Sequence, residues 1–96
     1  MDNAYIVVTR RDTVFDDTYK EVSAIFKSRT DALNYLQKEY EEYSEEAKKF
    51  NERYNCDEWQ CFFTDGVVKS YSDMDYVTMK IVSVKFGDEI DVWKLI

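Results

Sequence analysis

The chain has 96 residues, 45% of them hydrophobic and 34% charged, with a formal net charge of −7 and no histidine. That length fits a single domain, residues 1–96, and six Phe, eight Tyr and two Trp supply enough apolar volume for a packed core. The acidity argues against bulk attraction to nucleic acid or an anionic membrane, and the missing histidine removes Ser-His-Asp and Cys-His nucleophiles, histidine acid-base catalysis and histidine metal ligands together.

No apolar run approaches the ~20 residues that span a bilayer. The start, MDNAYIVVTRR, has no basic segment ahead of its apolar stretch and does not read as a secretory signal. The expectation is a cytoplasmic protein whose two cysteines, Cys56 and Cys61, stay reduced.

Ala4 to Thr9 is short, apolar and β-branched, and predicts a buried strand. Arg11 to Lys20 carries Asp12, Asp16 and Asp17 and predicts a loop or hairpin tip. Glu21 to Lys27 alternates, with Val22, Ala24 and Phe26 on one face. The first two strands are expected to pair as an antiparallel hairpin.

The stretch from Ser28 to Tyr54 predicts one long helix. Leu36, Tyr40, Tyr43, Ala47, Phe50 and Tyr54 recur at helical spacing and fall within an arc of about 80°. No Gly or Pro interrupts them. Ser28 suits the N-cap, with Thr30 as the alternative, and Asp31 gives a weaker form of the capping box. Asn55 suits the stop, and Lys48, Lys49 and Arg53 complement the helix dipole near it. Glu45 and Lys49 form a correctly oriented i,i+4 pair. Such a helix is about 40 Å long. Its apolar stripe is too short for a sustained coiled coil and reads as a core face rather than a dimer seam.

Cys56 to Thr64 contains a short aromatic strand, and Asp65-Gly66 signals a hairpin turn into VVKSYS. Ser72 to Asp75 predicts a second turn. Tyr76 to Phe86 predicts the longest strand, either buried on both faces at its middle or reset by a bulge near Ile81 and Val82. At about 3.4 Å per residue it spans ~37 Å, which matches the helix. Gly87-Asp88 turns the chain, and Ile90 to Ile96 predicts a closing strand. The order β-β-α-β-β-β-β predicts an α+β fold, an antiparallel sheet with one long amphipathic helix packed on one face and a partly polar second face.

Residues 4–36 carry a recognisable pattern. Tyr5, Val7 and Val8 form a YxVV-type strand, an acidic loop follows, Val22 and Phe26 belong to a strand ending in an aromatic, and Ser28 and Ala32 open an amphipathic helix as S-x-x-x-A. In this the chain resembles small acidic proteins of phages and other mobile elements. The second half departs from that pattern, which usually ends soon after one more strand. The resemblance implies a mobile-element origin. Many small acidic proteins of that origin, anti-CRISPR proteins among them, inhibit host machinery by binding it.

No catalytic constellation emerges. Cys56 and Cys61 lack the second ligand pair of a structural zinc site and read as a loop cysteine and a strand cysteine. The paired carboxylates fall in turns or on the polar helix face, and two glycines cannot build a phosphate loop. No catalytic residue, metal or cofactor is assigned. The densest cluster is Glu39, Glu41, Glu42, Glu45 and Glu46. Glu39, Glu42 and Glu46 line one flank of the apolar stripe near Tyr35, while Glu41 and Glu45 face outward. Such a row imitates phosphates and suits a basic nucleic-acid groove. The ordinary alternative is a solvated helix face partly neutralised by Lys38, Lys48 and Lys49.

The expected function is a non-enzymatic inhibitor or adaptor. Its partner is a host protein with a basic nucleic-acid-binding surface, a CRISPR effector being one class, with no direct nucleic-acid or membrane contact and the chain itself a monomer or homodimer. The alternative is a structural or accessory module that oligomerises through its helix seam or sheet face.

Overall fold

The computed structural model describes residues 3–15, 17–85 and 87. Its elements are β1 (Asn3–Thr13), β2 (Thr18–Phe26), α1 (Arg29–Tyr54), β3 (Gln60–Thr64), β4 (Val67–Tyr71) and β5 (Asp75–Lys85). The strands form one sheet in the order β2-β1-β5-β4-β3, with every neighbouring pair antiparallel. The helix packs on one face, so the predicted α+β class holds. The expected closing strand, Ile90 to Ile96, lies outside the described residues.

The helix begins and ends as its sequence dictates. Ser28 is extended, and its hydroxyl accepts the Asp31 N–H at 3.1 Å, so Ser28 and not Thr30 is the cap. Asn55 adopts the left-handed conformation that asparagine tolerates better than most residues, and its N–H reaches the carbonyls of Asn51 and Glu52. Between them Ala32 and Leu36 are fully buried and Ala47 nearly so. Ala32 and Leu36 meet Val7 of β1, Val68 of β4, and Val77 and Met79 of β5. Tyr40 and Tyr43 are half-buried and close the sides of this core. Tyr54 departs from the predicted stripe: it is 58% exposed, stacked on Phe50 with Arg53 over its ring. The stripe therefore ends at Phe50, whose ring meets Trp59 edge-on at 5.8 Å.

A 26-residue helix is about 39 Å long, and β1 and β5, at 11 residues each, run about 37 Å. The C-terminal turns of the helix gain a further hold on the segment before β3. The Asn51 amide donates to the Trp59 carbonyl at 2.9 Å and accepts the Trp59 N–H at 3.2 Å. The Trp59 indole in turn donates to Ser70 at 2.8 Å, inside the sheet.

Two details of the sheet correct the sequence reading, and a third removes one of its alternatives. The loop expected over Arg11 to Lys20 is shorter, because β1 runs on to Thr13 and β2 starts at Thr18. This polar strand end is held by its own side chains: Asp12 accepts from Arg10 at 2.9 Å and from Thr18 at 2.8 Å across the pair. No bulge interrupts β5 near Ile81 and Val82, since its register with β1 is unbroken from Asn3↔Lys85 to Thr13↔Asp75. The bulge lies instead in β2. There Val7 pairs with Ala24 but Val8 pairs with Val22, which leaves Ser23 as the extra residue. Val22 is thereby turned to the face opposite Ala24 and Phe26, and the Ser23 hydroxyl bonds Thr9 at 2.5 Å.

The Asp65-Gly66 turn forms as predicted, with φ of 53° and 74°, both in the left-handed region that a tight two-residue hairpin demands. The second face of the sheet divides in two. At one end Ala4, Ile6 and Val8 are buried. At the other, cross-strand pairing brings Arg10, Lys20, Thr78 and Lys69 into one row.

Candidate functional site

The helix phase places Glu39, Glu42 and Glu46 on one flank, beside Tyr35 and Tyr43. On the sheet, β1 and β2 present Arg11, Tyr19 and Glu21 toward that flank, because these residues share the face of Val7. Between the two layers lies an open groove of about 550 Å³, lined in part by Arg11, Tyr19, Glu21, Tyr35, Glu39 and Tyr43. It continues into a cleft of about 270 Å³ formed by Arg11, Tyr43, Glu39, Glu42 and Glu46.

Glu41 and Glu45 stand apart from the groove. Glu41 accepts from Gln37 at 3.0 Å, and Glu45 pairs with Lys49 at 3.4 Å, both on the exposed side of the helix. So exposed a pair adds at most about 0.5 kcal/mol. The five carboxylates thus separate into three along the groove and two facing outward, the division that the helix period predicts.

The opposite wall is what sequence reasoning did not supply. The sequence places Arg11 in a loop, yet it sits in β1, 3.6 Å from Asp75, and lines the same cleft as Tyr43. The alternation of RRDT, with Arg11 on the parity of Val7 and Thr9, was the available signal. Burial pushes the Tyr35 hydroxyl up, with Glu39 adding to it and Glu21 adding least. Burial also pushes the Tyr43 hydroxyl up, with Arg11 opposing it and Glu39 and Asp75 adding to it.

Both hydroxyls keep their protons in the fold beyond the pH at which an ordinary tyrosine, near 10.0, ionises. Their stabilisation is complete below that pH and is lost as pH rises through the folded-state values. Replacing both by Phe is expected to make the loss of stability above pH 10.0 shallower than in the parent chain. Urea midpoints across that range measure it, and parallel curves would count against the burial of these hydroxyls.

Cys56 and Cys61 are free thiols, directed at Asn51 and Ser70. Among the described residues no three Asp, Glu or Cys side chains converge as metal ligands do. No described helix is long and apolar enough to cross a membrane. No protein-family model, no curated protein and no solved structure matches the chain.

Proposed function

We propose that the chain is a non-enzymatic binding protein of mobile-element origin that docks its acidic helix onto the basic nucleic-acid-binding surface of a host protein, such as a CRISPR effector. The observation that carries this reading is the alignment of Glu39, Glu42 and Glu46 along one cleft, with Glu41 and Glu45 exposed on the outward side of the same helix. Carboxylates repeated at three- and four-residue spacing present a row of negative charge to lysines and arginines that otherwise bind phosphates. Burial of Leu36 and Ala47 within the fold favours this reading over oligomerisation through the helix seam.

The test is capture of a partner from host lysate at low and physiological salt, followed by association rates with the captured protein. Association is expected to fall steeply over that salt range, since exposed charges are screened within about 8–10 Å. The double change Glu42→Lys and Glu46→Lys is expected to slow association about tenfold or more and to alter dissociation less, as charges at an interface rim do. Both residues are exposed, so the fold survives the change. Association that ignores both salt and charge reversal would overturn the reading.

A further inference from the structure

The chain is acidic overall, but its charge is not evenly laid. On the sheet face away from the helix, register places Lys20, Arg10, Thr78, Lys69 and Phe62 side by side across all five strands. Neighbouring strands lie ~4.8 Å apart, so this row is about 19 Å long. Beside it runs a second row containing Tyr76 and Tyr71, and Lys80 lies on the other side. Within the described strands, Asp12 is the one acidic residue of that face, and it is paired with Arg10.

The rings on this face form a ladder. Phe62 lies 5.9 Å from Tyr71, and Tyr71 lies 5.0 Å from Tyr76 in an edge-on contact. The outer two stay open to solvent, Phe62 at 46% and Tyr76 at 56% exposure, although both have large apolar rings. A groove of about 500 Å³ is lined by Phe62, Tyr71 and Lys69, with Asp65 of the turn as the acidic residue in its lining. Exposed rings on a sheet, interleaved with cations, match unpaired bases joined by phosphates: bases stack on the rings and lysines neutralise the backbone. A duplex hides its base faces and offers this surface phosphates alone.

We infer that the sheet face bearing Phe62, Tyr71, Tyr76, Lys69 and Lys80 binds single-stranded nucleic acid. The net charge of −7 opposes this, with −2 of it on the helix, where seven acidic residues stand against five basic ones, and at physiological salt it acts only at short range. The helix carboxylates lie on the opposite layer of a molecule 17 Å across its shortest dimension, against a Debye length of about 8 Å. The inference rests on different residues from the acidic flank and stands or falls separately from it.

Fluorescence anisotropy with a labelled 20-nucleotide oligothymidylate, an oligouridylate of the same length and a matched duplex tests it. The expected result is binding of one or both single strands in preference to the duplex. Tyr76→Ala and Phe62→Ala are each expected to weaken it about tenfold, the usual cost of losing a stacked base. Lys69→Ala with Lys80→Ala should reduce the salt slope by about 1.4, at roughly 0.7 per phosphate contact. Thermal melting shows whether the variants are folded, and an unchanged midpoint is expected at Phe62, Lys69 and Tyr76, which are exposed. No single-strand binding, equal binding of the duplex, or affinity unmoved by Tyr76→Ala would each overturn the inference. So would a dimer in light scattering that Tyr76→Ala dissociates, because a second copy would then be what covers these rings.

Discussion

Replacing Leu36 by Ala is expected to lower stability by about 2–5 kcal/mol, out of a total near 5–15 kcal/mol for a domain of this size. Leu36 is 0% exposed and stands where the helix meets Val7, Val68, Val77 and Met79. Those contacts come from three strands of the sheet, so no single neighbour can move in to fill the space without disturbing the others. Urea unfolding should show a lower midpoint with an unchanged slope, because the same surface is exposed on unfolding. Tyr54→Ala supplies the contrast. The helical period assigns Tyr54 to the same stripe, but it is 58% exposed, and its ring contacts among the described residues are with Phe50 and Arg53. Its removal is expected to cost below about 1.5 kcal/mol, the range of an aromatic pair. Equal losses at the two positions would mean that the stripe continues into the core at Tyr54.

The contrast marks what local sequence can specify. Period, cap and stop are local properties, so the helix from Arg29 to Tyr54, its Ser28 cap and its Asn55 end were legible. The Asp65-Gly66 turn was legible for the same reason, since two residues in the left-handed region need only their own chemistry. Pairing is not local. The central neighbours β1 and β5 are separated by most of the chain, and no single segment encodes that they meet. The bulge at Ser23 becomes visible only against β1, where Val7 and Val8 take Ala24 and Val22. The strand end of β1 was hidden by its polarity, because Asp12 is held by Arg10 and by Thr18 from the facing strand.

The two surfaces divide along the same line. Glu39, Glu42 and Glu46 could be set on one flank by counting along a helix. Their facing wall of Arg11, Tyr19 and Glu21 required the position of the sheet beneath. The basic row of Lys20, Arg10 and Lys69 is further still from local reading, since it draws on three strands and is invisible in a chain whose net charge is −7.

The second large effect is expected at Asn51. Its side chain acts as a short piece of strand, donating to the Trp59 carbonyl at 2.9 Å and accepting the Trp59 N–H at 3.2 Å. It also receives the Cys56 thiol at 3.6 Å. Asn51→Leu keeps the volume and removes every one of these bonds, leaving both backbone groups of Trp59 without their partner. Unsatisfied groups in a half-buried place cost about 1–3 kcal/mol. Asn51→Asp separates donor from acceptor: it can still accept the Trp59 N–H, but it sets a carboxylate against the Trp59 carbonyl. Its stability at neutral pH is therefore expected to fall at least as far as that of Asn51→Leu. The consequence reaches past the helix end, because Trp59 carries the indole bond to the buried Ser70 and the ring contact to Phe50. Amide exchange at Trp59 should quicken in both variants, and the indole N–H should lose protection with it. Leu36→Ala, by contrast, should quicken exchange throughout the fold through its lower global stability. If Trp59 stays as protected in Asn51→Leu as in the parent chain, the clamp contributes nothing, and the ring packing on Phe50 alone fixes this end of the helix.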